Sequence, residues 1–332
     1  MHKYFYTLLF LFLANISFSQ SAEDYQLTPE MKEMLVGLTK SFFEPAEKHE
    51  EDNVYNRIPF NIVNGELTDE YVNSILQNFK SSLHIDSSIS SYSYSDSEGN
   101  EFDFIKADVL GQYAGIPQMF RTGDPIINGL MACDDKGKSL MRSKADLLKF
   151  HTYKGYPYAS IDQYGGKFEE VLMLKEVPVS PVTVRGTMIF TYPTHITAIE
   201  FTKADIGKTK ELNGKKGTLV SMDNGQSLIK WDSGQLDEFN MACLNKDGYR
   251  FNGYSSSTTD PWLYQQILER NALNDSVQMK AIFNEYKPLY DMNSPRMAKY
   301  TVYGELHKII FYVASAEMKE KAIDVELKST FR

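Results

Sequence analysis

The apolar positions of this chain change period three times. Near the start they recur at helical spacing. Met31, Leu35, Leu38 and Phe42 follow Thr28-Pro29-Glu30, which supplies an N-cap, a proline at the first helical position and an early acidic residue, and Pro45 bounds the run. A second helix is predicted from Thr68-Asp69-Glu70, with Val72, Ile75, Leu76 and Phe79 on one face.

From Ile85 the period becomes two. Ile89, Tyr92 and Tyr94 alternate with serines, Ser97-Glu98-Gly99-Asn100 reads as a turn, and Phe102 and Phe104 resume the alternation. The pattern continues to about residue 255, broken by Asn128-Gly129, Lys136-Gly137, Asn213-Gly214, Asn224-Gly225 and Asp247-Gly248. Helical spacing then returns. Asp260-Pro261 opens a helix through Trp262, Leu263, Ile267 and Leu268, and Asp275-Ser276 opens another through Val277, Ile282, Phe283 and Tyr286, stopped by Pro288. Two closing strands are expected, one in Ile309–Val313 and one in Ala322–Leu327.

Two short segments recur in the same order. Phe104-Ile105-Lys106-Ala107-Asp108-Val109 is echoed by Phe201-Thr202-Lys203-Ala204-Asp205-Ile206, and Met131-Ala132-Cys133 with its Lys-Gly turn is echoed by Met241-Ala242-Cys243 with its Asp-Gly turn. The pair of echoes predicts a duplicated unit. A fainter likeness of residues 183–186 to residues 301–304 supports no third one. The expected fold is mainly β: tandem Ig-like β-sandwich domains with an N-terminal helical segment and a helical insertion before C-terminal strands. The divisions are 1–19, 20–84, 85–178, 179–258 and 259–332, with the option that the last strands complete a sheet begun earlier.

The first of these divisions reads as a signal peptide. His2 and Lys3 precede an apolar run from Tyr4 to Ala14, and Ser17-Phe18-Ser19 offers small residues around a cleavage point. The run is far shorter than the ~20 residues of a spanning helix. The expectation is therefore a periplasmic or secreted protein with no integral membrane segment after cleavage. Loss of Lys3 leaves 34 basic against 44 acidic residues, a charge of −10. That balance, without a basic cluster, argues against a nucleic-acid partner.

Catalytic chemistry is weakly signalled. The histidines that follow the leader (His49, His84, His151, His195 and His307) form no zinc-ligand spacing, and no cofactor or metal is expected. Nucleophile-elbow and phosphate-loop patterns are missing. Asp96–Glu101 and Asp134–Gly137 read as solvated turns rather than calcium loops. Cys133 and Cys243 fall at echoing positions, so two buried free thiols are expected in preference to a disulfide. A ring-rich stretch, His151, Tyr153, Tyr156, Tyr158 and on to Tyr164, is the candidate ligand-binding segment, since flat rings with hydroxyls suit a glycan or a protein partner. Trp231, Trp262 and Tyr264 are either further anchors or core.

These features predict an exported, non-catalytic binding or structural protein that recognises carbohydrate or an extracellular or envelope protein. The alternative is a secreted hydrolase acting on polysaccharide or peptide, with acids such as Asp162, Glu169 and Glu170 as its pair. A third reading, an envelope-assembly or inhibitor role, would use the helical parts to clasp a partner.

Overall fold

A computed structural model describes residues 28–45, 52–86, 90–95, 101–112, 127–141, 159–161, 167–175, 178, 181–286 and 293–329. Over these residues the chain is mainly β, arranged in several antiparallel sheets with four α-helices against them. Among the described residues no helix is long and apolar enough to cross a membrane.

The helices begin where the caps predict. Thr28 caps α1 (Pro29–Phe43) and Thr68 caps α2 (Asp69–Ser82), each hydroxyl accepting a backbone N–H. Asp260 and Asp275 do the same for α3 (Pro261–Glu269) and α4 (Ser276–Glu285). α2 buries the predicted face, Val72, Ile75, Leu76 and Phe79. α1 buries Phe42 of the expected stripe but takes Val36 and Thr39 in place of Leu35 and Leu38, because it serves two surfaces. Val36 packs with the other helices, whereas Phe42 packs on a sheet.

A six-stranded sheet forms the middle layer. Its order is β1 (Val54–Pro59), β15 (Tyr249–Phe251), β14 (Asn240–Leu244), β18 (Lys308–Ala314), β10 (His195–Thr202) and β2 (Gly65–Glu66). Ile309 and Phe311 of β18 face one core while Ile310 and Tyr312 face another. An unbroken apolar run thus becomes a strand buried on both faces.

On the first side lies a five-stranded sheet: β11 (Thr209–Leu212), β12 (Lys215–Asp223), β13 (Gln226–Trp231), β17 (Arg296–Thr301) and β16 (Ser255–Thr259). Its hairpins turn at Asn213-Gly214 and Asn224-Gly225, each with both residues at positive φ, the conformation that two-residue hairpin loops favour. Trp231 fills the core between the two sheets, edge-on to Phe311 at 5.2 Å.

On the other side are two smaller sheets. One holds β3 (His84–Ile85), β5 (Glu101–Gln112), β8 (Lys167–Leu174) and β7 (Ala159–Ile161), with β4 (Ser90–Ser95) also on β5. The other holds β19 (Met318–Ser329), β9 (Val182–Pro193) and β6 (Ile127–Cys133). Residues 139–141 link them by bridging β6 to β8. α2 packs on both, with Phe79 edge-on to Phe168 at 5.3 Å and to Phe190 at 5.5 Å.

A single ribbon joins the two cores. β9 continues into β10 across Thr194, and β18 into β19 across residues 315–317, so the paired strands run from one core into the other. At the bend Thr194 N donates to Glu317 O (3.0 Å) and Ser315 N to His195 O (2.9 Å).

The two echoes have different outcomes. Lys106-Ala107-Asp108 lies inside β5, whereas Lys203–Asp205 is a 3-10 turn in which Thr202 N and Oγ1 each donate to Asp205 Oδ2 at 3.0 Å. Of the second echo only the turn recurs in the structure. Asp134 Oδ1 accepts from Lys136 N and Lys138 N, Asn245 Oδ1 accepts from Asp247 N and Tyr249 N, and Gly137 and Gly248 take φ of 78° and 79°. Superposing these turns pairs Cys133 with Leu244 rather than with Cys243. Both cysteines are buried and free.

Candidate functional site

The ring-rich candidates His151, Tyr153, Tyr156, Tyr158 and Tyr164, and the acid Asp162, lie outside the described residues. The other aromatic anchors are placed, and they separate sharply. Trp231 is fully buried, whereas Trp262 is 39% exposed at the start of α3. One face of the Trp262 indole stacks on Tyr286 at 6.0 Å, with ring planes 15° apart. Tyr264 stacks on Phe43 at 5.2 Å and 5°.

Trp262 and Tyr264 line an open groove of about 510 Å³ between α3 and the outer face of the β11–β16 sheet. Val220, Lys230, Leu268 and Met297 complete the apolar part and its rim. The chain dictates this geometry. Asp260 is the only residue between β16 and α3, so the helix starts at the edge of the sheet and lies against it. Val220 reaches the groove through a β-bulge. The β12–β13 register slips between Leu219↔Ile229 and Ser221↔Leu228, which leaves Val220 unpaired and 39% exposed. Met297 pairs with Lys230 on β13 and with Thr259 on β16.

The neighbouring α1 is held by the same sheet. Lys299 Nζ donates to Ser41 O (3.2 Å) and Glu44 O (3.1 Å), and Gln226 Nε2 donates to Glu44 O (3.0 Å). These donors reach the carbonyls at the end of the helix, where Ser41 O also accepts from the Glu44 N–H at 3.3 Å. Burial lowers the Lys299 pKa, while the attraction of Glu44 opposes that fall.

The groove joins apolar and charged side chains. It offers an indole face, three aliphatic side chains, and Lys230 and Glu269 on opposite walls. Glu269 is held in place by Gln265 Nε2 (2.7 Å) and Gln266 Nε2 (3.2 Å).

The remaining reactive groups are dispersed. Glu169 and Glu170 alternate on β8, and register places Glu170 beside Val109 on the core row and Glu169 beside Leu110 on the other face. They do not converge on one substrate. Burial pushes Glu170 up to about 8 and the Cys243 thiol up to about 12, so that thiol carries no thiolate character near neutrality. Asp205 is held well below the usual carboxylate range, first by the Thr202 backbone N–H and further by Lys208 and Lys210 at 3.1 and 3.2 Å. It serves its turn. Among the described residues no group of three His, Cys, Asp or Glu side chains could hold a metal ion.

Sequence reasoning named Trp262 and Tyr264 but missed Val220, Lys230, Leu268 and Met297. One signal was legible: Leu263 and Ile267 mark the buried stripe of α3, and Trp262 and Leu268 are large apolar residues off that stripe. The chain matches no protein-family model, no curated relative and no solved structure.

Proposed function

We propose that this chain is an exported, non-catalytic binding protein and that the α3 groove is its recognition surface. The observation that carries the reading is the exposed Trp262, held flat by Tyr286 beside the aliphatic side chains of Leu268, Val220 and Met297. Large exposed apolar side chains gathered in one groove mark a surface for association. Their chemistry favours an apolar anchor from an extracellular or envelope protein over a glycan, because three of the lining groups offer sugar hydroxyls no hydrogen bond. Export rests on the leader pattern of residues 1–19. The matching hairpins after β6 and β14 support a duplicated β unit, and the face-to-face sheets around Trp231 support sandwich packing of the Ig-like kind.

The test is a binding screen on the purified protein against glycans and against displayed extracellular peptides, run beside Trp262→Ala and a Tyr153/Tyr156/Tyr158 triple-alanine variant. Circular dichroism checks that each variant folds. Peptide binding lost in folded Trp262→Ala supports the groove. Binding kept there but lost in the triple variant moves the site to the tyrosine segment, and glycan binding lost in either reverses the choice of partner.

A further inference from the structure

The α3 groove carries opposite charges on its two walls, and the fold uses neither. Lys230, on the sheet wall, is exposed. Its cross-strand neighbours are Thr218 on β12 and Met297 on β17, and neither is an acid. Among the described residues Lys230 forms no ion pair. Glu269, on the helix wall, is exposed as well, and the hydrogen bonds it accepts come from the neutral amides of Gln265 and Gln266. The adjacent base is committed elsewhere: Arg270 donates through both Nη atoms to Glu285, at 2.8 and 2.6 Å.

The helix reinforces the negative wall. Glu269 is the last residue of α3, and the final turn contains no base. The carbonyl end of a helix carries partial negative charge, so here it adds to the carboxylate instead of balancing it. A cation from outside gains from both. A carboxylate from outside gains from Lys230.

Between the walls the chemistry is aromatic and aliphatic. Tyr286 covers one face of the Trp262 indole, with the ring planes 15° apart, so a flat ring in the groove lies on the other face and continues the stack. Val220, Leu268 and Met297 offer it apolar contact. Offset stacking on an indole adds to what burial alone gives, which favours an aromatic over an aliphatic anchor.

We infer that the occupant of the groove is a short segment of an extracellular or envelope protein in which an aromatic residue is flanked by an acid and a base. The ring lies on Trp262, the acid meets Lys230 and the base meets Glu269. This rests on the reading of the groove as the recognition surface. A neutral glycan answers neither charge.

Titrating the purified protein with labelled peptides of one length tests it. Their central Phe is flanked by Asp and Lys, by two Asp, by two Lys or by two Ser, and a fifth peptide has Leu between Asp and Lys. The native protein should bind the Asp/Phe/Lys peptide about two- to fivefold more tightly than the serine-flanked one, the scale of exposed ion pairs. The Leu peptide should bind about two- to tenfold more weakly. Lys230→Glu should turn the preference to the two-Lys peptide and Glu269→Lys to the two-Asp peptide. Lys216→Glu, exposed on β12 outside the groove, should keep the native ranking. Equal binding of charged and serine-flanked peptides, or a ranking that neither groove variant changes, overturns the charge assignment, and equal binding of the Leu peptide overturns the aromatic anchor. In both cases the groove itself stands if folded Trp262→Ala loses binding. Binding that survives in folded Trp262→Ala, or no binding of any peptide, overturns the groove reading as well. Self-association of the native protein that Trp262→Ala abolishes makes a second copy the occupant and overturns the inference.

Discussion

The two tryptophans of this chain show how far context decides what a residue does. Trp231 ends β13 and lies between two sheets, with Phe239 at 5.3 Å and Phe311 at 5.2 Å. Its ring occupies the space over Gly217, its partner on β12, where an added Cβ would come within 2.8 Å of the indole. Trp262 has the same indole but stands in the first turn of a nine-residue helix, with Tyr286 on one face and the groove on the other. The first is sealed by sheets on both sides, and the second is presented by one helix. Burial turns one into core, and a short, well-capped helix turns the other into a surface.

The sharpest way to break this contrast is to remove each ring. Trp231→Ala should cost about 3–5 kcal/mol, because the sheets on either side cannot close over the void. Trp262→Ala should stay within about 1 kcal/mol, as partly exposed sites usually do. Urea unfolding measures both, and equal losses would erase the distinction. Gly217→Ala comes next, with an expected loss of about 1–3 kcal/mol from overpacking against the buried ring. Its cost should shrink in a Trp231→Leu background, and that coupling would show that the glycine exists for the tryptophan.

Much of this difference was hidden in the sequence, for physical reasons. Caps are local, so Thr28, Thr68, Asp260 and Asp275 located the four α-helices of the described residues. Two-residue turns are local too, and Asn213-Gly214 and Asn224-Gly225 stand where the pattern put them. Pairing is not local. Nothing near Val182–Thr202 signals that both strands of this stretch pair with residues 308–329. Letter matching also misleads where a strand ends: Lys203-Ala204-Asp205 turns, whereas Lys106-Ala107-Asp108 continues. The groove needed two such facts at once. Trp262 was visible as an aromatic, but its neighbours come from a bulge at Val220 and from the β13–β17 pairing that brings up Met297 and Lys230.

A smaller effect tests whether the helix itself presents the second tryptophan. Asp260 Oδ1 accepts from Trp262 N at 2.8 Å and from Leu263 N at 3.4 Å, occupying two donors that the first turn of α3 would leave open. Asp260→Ala should therefore cost about 1 kcal/mol, while Asp260→Asn, which keeps the acceptor, should cost less. The informative readout is fluorescence rather than the midpoint of unfolding. Acrylamide should quench the exposed Trp262 and leave the buried Trp231 bright, so Trp262→Phe identifies the quenchable component. In Asp260→Ala that component should become more quenchable as the first turn frays, with the Trp231 emission unchanged. A change in the Trp231 emission instead would mean that the cap steadies the sheet core as well, and the two tryptophans would no longer report on separate regions.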